Sequence, residues 1–366
     1  MGKGDGKLEL IAQQNELLRQ QNELLREQNE LLRQPEIRDE REVFIKDVDR
    51  DEMRNGFLVT SHRKKLWNVQ IGLINEFARI CKKHDLRWFA FYGTLLGAAR
   101  HKGFVPWDDD VDIVMLRPDY EKFKSVMTEE IKEPYFVDAC FNYKLEEEQD
   151  FSETNLQLVK SEQRKKLPIY WPFWPMIKIR DKRTSMIQWP EREHVNQGIW
   201  IDIFPFDPVP PFSGKQHKIN YEIEREMLFA IALPDILKNA LKKNEPLLIK
   251  REILEKFLSL PHKQKILNLD SFALKNFLPS EYVGQLRGHC LANLPFRYAL
   301  KNFEETVYLP FETIELPAPK GYEDCLTSVY GNWHEMVKYS AHILDYSVDI
   351  SSEEYFKAAL QNEPQK

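Results

Sequence analysis

Aspartates at positions 108, 109, 110 and 112 open an otherwise apolar run of Val111, Ile113, Val114 and Met115, and this constrains the fold more than any other feature of the chain. A β period over Asp110–Met115 sends Asp110 and Asp112 to one face and Val111 and Ile113 to the other. The apolar face demands a core. The two converging carboxylates repel unless a cation joins them. Carboxylate oxygens with room for water and a phosphate suit Mg²⁺, or Mn²⁺ in its place. The segment therefore predicts a strand with a divalent metal site on Asp110 and Asp112, to which Asp108 can contribute.

Upstream, an apolar strand around Trp88–Tyr92 runs into Gly93-Thr94 and a short helix over Leu95–Ala99. A glycine there lets backbone approach a phosphate, and a helix start offers free N–H groups. A third carboxylate, Asp202, lies in the short apolar strand Trp200–Phe204, where a buried charge needs a cation or a proton to handle. The bland alternative is a structural Asp before Pro205. Arg100, Lys102, and Lys178 with Arg180 on a strand at Met176–Arg180 are candidate phosphate contacts, each equally suited to the surface. Trp107 either stacks on a nucleotide base or braces the acidic loop. Tyr170–Trp174 offers aromatic faces for a quaternary ammonium or simple loop packing. His101 reads as a hydrogen-bonding structural residue, because the carboxylates already serve proton chemistry.

Helical period over Ser61–Lys83 and Arg117–Ile131, with strands expected at Tyr135–Phe141 and Leu156–Ser161, gives an α/β sheet core. At the start of the chain, residues 15–33 repeat every seven positions, with Leu18, Leu25 and Leu32 at d and Asn15, Asn22 and Asn29 at a. That is a coiled-coil pattern and predicts self-association. The expected organisation is a coiled-coil helix over 1–35, a linker over 36–60, a catalytic core over 61–211, a helical basic region over 212–302 and a C-terminal segment over 303–366 packed on the core. Lys and Arg outnumber Glu between 236 and 265, which suits either an ordinary solvated face or contact with an anionic membrane.

With 366 residues and 42% hydrophobic content the chain can build a real core, and 52 Lys+Arg against 58 Asp+Glu leaves a formal charge of −6. No general positive field exists to hold nucleic acid, and no aromatic-basic platform for single strands is written. The four cysteines lack zinc or disulfide spacing, and no stretch of about 20 apolar residues crosses a bilayer. The expected location is cytoplasmic, with peripheral contact at the inner face of the cell membrane.

The Gly-Thr turn followed by strand carboxylates resembles the layout of the nucleotidyltransferase superfamily. More specifically, GTLLGAARHKGFVPWDDDVDIVMLRPDYEKF, MIKIRDKRT, QGIWIDIFPFD and LPAPKGYEDCLTSVYGNW, in that order, resemble the LicD family of phosphotransferases, related to the fukutin proteins. The resemblance covers residues from about 70 to 212 and again from 303 to 335. It implies a nucleotidyltransferase-like mixed sheet with flanking helices and a helical insertion. It also implies transfer of an alcohol phosphate, typified by phosphocholine, from a CDP-activated donor such as CDP-choline to a sugar hydroxyl of a surface glycan. In that scheme the metal on Asp110 and Asp112 bridges the donor, Gly93 and Thr94 cradle its phosphates, and Asp202 handles the acceptor. Two other readings stand beside it: a nucleotidyltransferase releasing pyrophosphate, and a non-catalytic coiled-coil scaffold.

Overall fold

The computed structural model describes residues 44–139, 176–187, 197–209, 215–232, 234–276, 279–285, 297–336 and 347–349. The chain divides into two units, residues 1–43 and 44–366. The heptad segment, the strand expected at Leu156–Ser161, Tyr170–Trp174, Cys140 and Cys290 lie outside the described residues.

A hairpin of β1 (Glu52–Arg54) and β2 (Phe57–Val59) leads into α1 (Ser61–Lys83). Thr60, the residue before the helix, accepts the Arg63 N–H at 3.3 Å and satisfies one of the free donors at the helix start. Leu66, Leu73, Phe77 and Ile80 recur at helical spacing and are fully buried. After β3 (Phe89–Ala90), helix α2 covers Tyr92–Leu96 and opens into a π-helical turn, Gly97–His101. The helix thus begins three residues before the expected Leu95. The turn brings Gly97 so close to Gly103 that a Cβ would sit 2.4 Å from the Gly103 carbonyl oxygen.

Next come β4 (Asp112–Leu116), α3 (Arg117–Glu130), β5 (Tyr135–Ala139), β6 (Ile177–Asp181), β7 (Ser185–Ile187) and β8 (Trp200–Pro208). Four helices follow, α4 (Lys215–Ala232), α5 (Pro234–Lys242), α6 (Arg251–Leu258) and α7 (His262–Asn276). The region expected to be helical then returns to the sheet as β9 (Tyr282–Gly284) and β10 (Tyr298–Ala299), which helical periodicity did not reveal. A hairpin of β11 (Thr306–Phe311) and β12 (Ile314–Pro319) and helix α8 (Tyr322–Tyr330) complete the main body. Among the described residues no helix is long and apolar enough to cross a membrane.

The seven-stranded mixed sheet runs β10-β9-β8-β4-β3, with β6 and β5 branching from β8. β4 is parallel to β8, with Asp112 opposite Asp202, and antiparallel to β3. The other edge of β8 is shared: its first half pairs with β6, placing Lys178 opposite Asp202, and its last residues pair with β9. Alternation sorts the sheet into two cores. Ile113, Met115, Ile201 and Ile203 join α1 in one core. Val114, Phe204 and Phe206 join α4–α7 in the other. By the same parity Asp112 and Asp202 point to the second face, that of the helical insertion.

A buried ion network fastens that insertion. Arg117 donates from Nε and Nη2 to the two Asp207 oxygens at 2.6 and 2.8 Å, and from Nη1 to Asp270 at 2.7 Å. Lys124 meets the second Asp270 oxygen at 3.0 Å. Arg117 and Lys124 come from α3, Asp207 from β8 and Asp270 from α7. Glu224 of α4 stands beside this group, its carboxyl pushed up to about 8 by burial and by the Asp207 charge, against the pull of Arg117.

Removing the guanidinium takes both of its bonds from the buried Asp207 carboxylate and leaves Asp270 to Lys124, so Arg117→Met is expected to cost about 3–5 kcal/mol of stability in urea unfolding. The Glu224 carboxyl keeps its proton to a higher pH when folded than its ordinary 4.5. The folded state binds more protons than the unfolded one across that window, so stability falls as pH rises from about 4.5 through about 8. Glu224→Gln is expected to flatten that fall, read as melting midpoint against pH.

Candidate active site

The acidic loop is held by its backbone. Arg63 Nη1 and Trp67 Nε1 both donate to the Asp108 carbonyl, at 2.8 and 3.0 Å, and Gln70 Nε2 donates to that of Asp109 at 2.7 Å. The three donors lie four and three residues apart on α1, so one helix face serves the whole loop. The Trp67 ring also stacks on Phe104, centroids 4.7 Å apart. These bonds explain a departure from the sequence reading. The strand expected from Asp110 starts only at Asp112, because the carbonyls of Asp108 and Asp109 go to α1 side chains and not to a neighbouring strand. Asp110 and Asp112 are therefore not alternate residues of one strand: Asp110 belongs to the loop and Asp112 to the sheet.

They are nevertheless brought together. Carboxylate oxygens of Asp108, Asp109 and Asp110 lie within 4.8 Å of one another. Burial, then the charges of Asp110 and Asp109, hold the Asp108 carboxyl well above the usual range. Asp112 is raised likewise by burial and by Asp110, Asp202 and Asp108 in turn, with Lys178 opposing. Five acidic side chains thus act on one another at the edge where β4 and β8 begin. Hard oxygen donors at this spacing, mutually repelling, are the donor set a divalent cation takes.

The Gly-Thr element faces the same cluster. A Cβ on Gly93 would stand 2.3 Å from Asp108 Oδ2, so the glycine leaves the room that carboxylate occupies. Thr94 Oγ1 accepts the Asp112 N–H at 2.9 Å, fixing the start of β4. Tyr92, at the head of α2, adopts φ 45°, a left-handed conformation costly for a ring-bearing residue.

Asp202 is oriented from both sides. Lys178 Nζ lies 2.6 Å from Oδ1 and Trp200 Nε1 donates to Oδ2 at 2.9 Å. The ammonium also sits 4.3 Å from the Trp200 ring centroid. Burial lowers the Lys178 pKa, and the Asp202 charge opposes that fall. Arg180 is engaged elsewhere, with Asp138 at 2.6 Å and the Gly198 carbonyl at 2.8 Å.

Of the other basic candidates, Arg100 donates to the carbonyls of Trp333 and Glu335 at 2.9 and 3.0 Å and to His101 Nε2 at 3.0 Å. Lys102 is exposed with φ 57°. Trp107 packs edge-on to Phe57 and His101, 6.0 and 6.3 Å between centroids, as a brace for the loop. His101 is pushed down to about 4 by burial and by the charges of Arg100 and Arg54, which leaves it neutral near pH 7. Sequence reasoning missed Arg63, Trp67 and Gln70. Their i, i+4, i+7 spacing was the available signal, but it reads equally as the polar edge of a core helix. Cys81 and Cys325 are buried free thiols.

A Gly-Thr turn and clustered aspartates on a mixed sheet define a nucleotidyltransferase-type domain. Residues 85–219, which carry Gly93, Thr94, Lys178 and the five aspartates, match the family model for the LicD/FKTN/FKRP nucleotidyltransferase domain. Over 274 residues, 73% of this chain and 89% of the relative, it is 26% identical to the lipopolysaccharide cholinephosphotransferase LicD of Haemophilus influenzae. Shorter segments are 34% identical over 55 residues to an uncharacterized protein of Rickettsia typhi and 38% over 47 residues to one of Rickettsia prowazekii, each match covering 18% of the relative. What these matches show is a LicD-type nucleotidyltransferase domain over residues 85–219 and a similarity to LicD along most of the chain.

Gly93→Ala tests the cluster's dependence on that close approach. The Asp108 carboxyl ends a side chain and can turn, so the variant is expected to fold with a melting midpoint near that of the wild type. Its crystal structure should show the Asp108 carboxyl rotated away from Asp110; an undisturbed cluster refutes the role given to Gly93.

Proposed function

We propose that this protein transfers a phospho-alcohol group, phosphocholine foremost, from a CDP-activated donor to a sugar hydroxyl of a cell-surface glycan such as lipopolysaccharide. The reading rests above all on one observation: Asp108, Asp109 and Asp110 converge beside Gly93 while Asp112 stands opposite Asp202 on parallel strands. The printed activity of the Haemophilus influenzae relative supports the same chemistry. The reaction takes place at the cytoplasmic face of the membrane, and the heptad segment joins copies of the chain.

The acidic residues fit Mg²⁺. They offer oxygen donors only, and their crowding raises the Asp108 and Asp112 carboxyls in a way that a bound dication relieves. Asp108, Asp110, Asp112 and Asp202 are the residues to hold it, and when bound it neutralises charge on the donor diphosphate and the departing CMP. Gly93 lets the Asp108 carboxyl approach the backbone of α2, and Thr94 keeps β4 in place beside it. Asp202 accepts the proton of the attacking sugar hydroxyl on the carboxylate that Lys178 and Trp200 hold in orientation. The acceptor oxygen then bonds to the donor phosphorus as the bond from phosphorus to the CMP oxygen breaks, and Lys178 balances charge beside the reacting phosphate.

The test is CMP release from a panel of CDP-alcohols with Mg²⁺ and a crude glycan acceptor. One donor should release CMP in a Mg²⁺-dependent way. Asp110→Ala and Asp112→Ala should abolish release with the fold intact, and Asp202→Asn should lower kcat about 10²–10⁴-fold, the usual contribution of a general base. Pyrophosphate as the product moves the assignment to nucleotidyl transfer, and substantial activity in Asp112→Ala breaks the metal assignment.

A further inference from the structure

Behind the acidic loop, two hairpins that the scheme above leaves unused meet on one carboxylate. Glu312 stands at the tip of the β11–β12 hairpin, with φ 52°. Its N–H donates to the Lys102 carbonyl at 2.8 Å, and its Oε1 accepts the Phe104 N–H at 3.1 Å. One residue thus holds both ends of the bend at 102–104. Gly103 makes that grip possible, since a Cβ there would lie 2.2 Å from Glu312 Oε1. Arg54 of the β1–β2 hairpin fastens the carboxylate in turn, donating from Nη1 to Oε1 and from Nη2 to Oε2, the latter at 3.1 Å. The Glu312 side chain is only 8% exposed, and a forked pair of this kind fixes direction as well as place.

The bend that Glu312 holds leads straight to Asp108. Val105, next after Phe104, accepts the Asp108 N–H at 2.9 Å. The Phe104 ring lies parallel to the Trp67 indole, with an interplanar angle of 1°, and Trp67 Nε1 donates to the Asp108 carbonyl. The Arg54 guanidinium stands 5.3 Å from the centroid of the same indole. The N–H and the carbonyl of Asp108 therefore both rest on neighbours that Glu312, or its partner Arg54, sets in place. A carboxylate moves with its backbone, and a shift beyond about 0.5 Å is enough to loosen a functional site. Neither Arg54 nor Glu312 lies within residues 85–219.

We propose that Glu312 is a positioning residue for the acidic loop: its carboxylate, aimed by Arg54, sets the 102–104 bend and the Trp67 indole, and through them the place of Asp108 in the metal site. The inference rests on the phosphotransferase reading above and gives that site a support from the far end of the chain.

The experiment titrates the full chain with Mn²⁺ alone, reading free metal by electron paramagnetic resonance at a temperature where every variant is folded. It also measures kcat for the active CDP-alcohol against Mg²⁺ concentration. Glu312→Ala should weaken Mn²⁺ binding about ten-fold, as expected for a group standing behind a metal ligand. The Mg²⁺ needed for half-maximal kcat should rise by a similar factor, and excess Mg²⁺ should return kcat toward the wild-type value. Glu312→Gln keeps an acceptor for the Phe104 N–H and should recover part of the loss. If Glu312→Ala does not fold, Glu312→Gln carries the test, with an expected loss of about three-fold. A merely structural role lowers the melting midpoint and leaves the metal alone. Wild-type Mn²⁺ affinity in the folded variants therefore overturns the inference, as does a fall in kcat that excess Mg²⁺ does not lift. Wild-type protein that binds Mn²⁺ but releases no CMP breaks the phosphotransferase reading and leaves Glu312 to be judged on affinity. Wild-type protein that binds no Mn²⁺ overturns both.

Discussion

The parallel pairing of β4 with β8, in the register that sets Asp112 opposite Asp202, is the constraint on which the rest depends. One residue of slippage would turn either carboxylate into the opposite core, among Ile113 and Ile203. That register is protected from both ends. At the entrance, Thr94 holds the Asp112 N–H, and the Asp202 N–H donates to the Val111 carbonyl at 2.8 Å. Toward the exit, Arg117 follows directly after β4 and grips Asp207 of β8, so the two strands are tied just where their ladder stops.

Charge is concentrated where it destabilises the isolated protein. Asp108 and Asp112 carry pKa values raised by burial and by one another, whereas Lys178 is the cation that meets Asp202. α1 supports this arrangement from behind: Arg63, Trp67 and Gln70 donate to carbonyls and leave the carboxylate oxygens of the loop facing inward. Holding like charges together in this way costs folding stability.

Much of this was legible in the chain. Helix periodicity located α1 to within the cap residue, and β-branched runs located β4, β6 and β8. The pairing of Asp110 with Asp112 was read from strand alternation, whereas the structure has Asp110 in the loop and Asp112 at the start of β4. What failed to show were contacts set by distant parts of the chain. Asp110 reads as strand because its neighbours alternate, yet its backbone environment is decided by side chains some 40 residues earlier. β9 and β10 are too short to announce themselves beside four amphipathic helices. Arg100 and Arg180 are basic residues near phosphate-binding motifs, and only the folded chain reveals that carbonyls and Asp138 already occupy them.

β8 carries Asp202 near one end and Asp207 near the other, about 17 Å apart at strand rise. The same ribbon therefore belongs to the chemistry at its start and to the helical insertion at its finish. Family members with a different insertion could accept it as a cassette only if it arrives with its own acidic partner for Arg117 and a strand able to take the place of β9. The insertion is thereby free to diversify on its outer helices and conservative at two small seams. The outer faces of those helices can change without moving a single carboxylate.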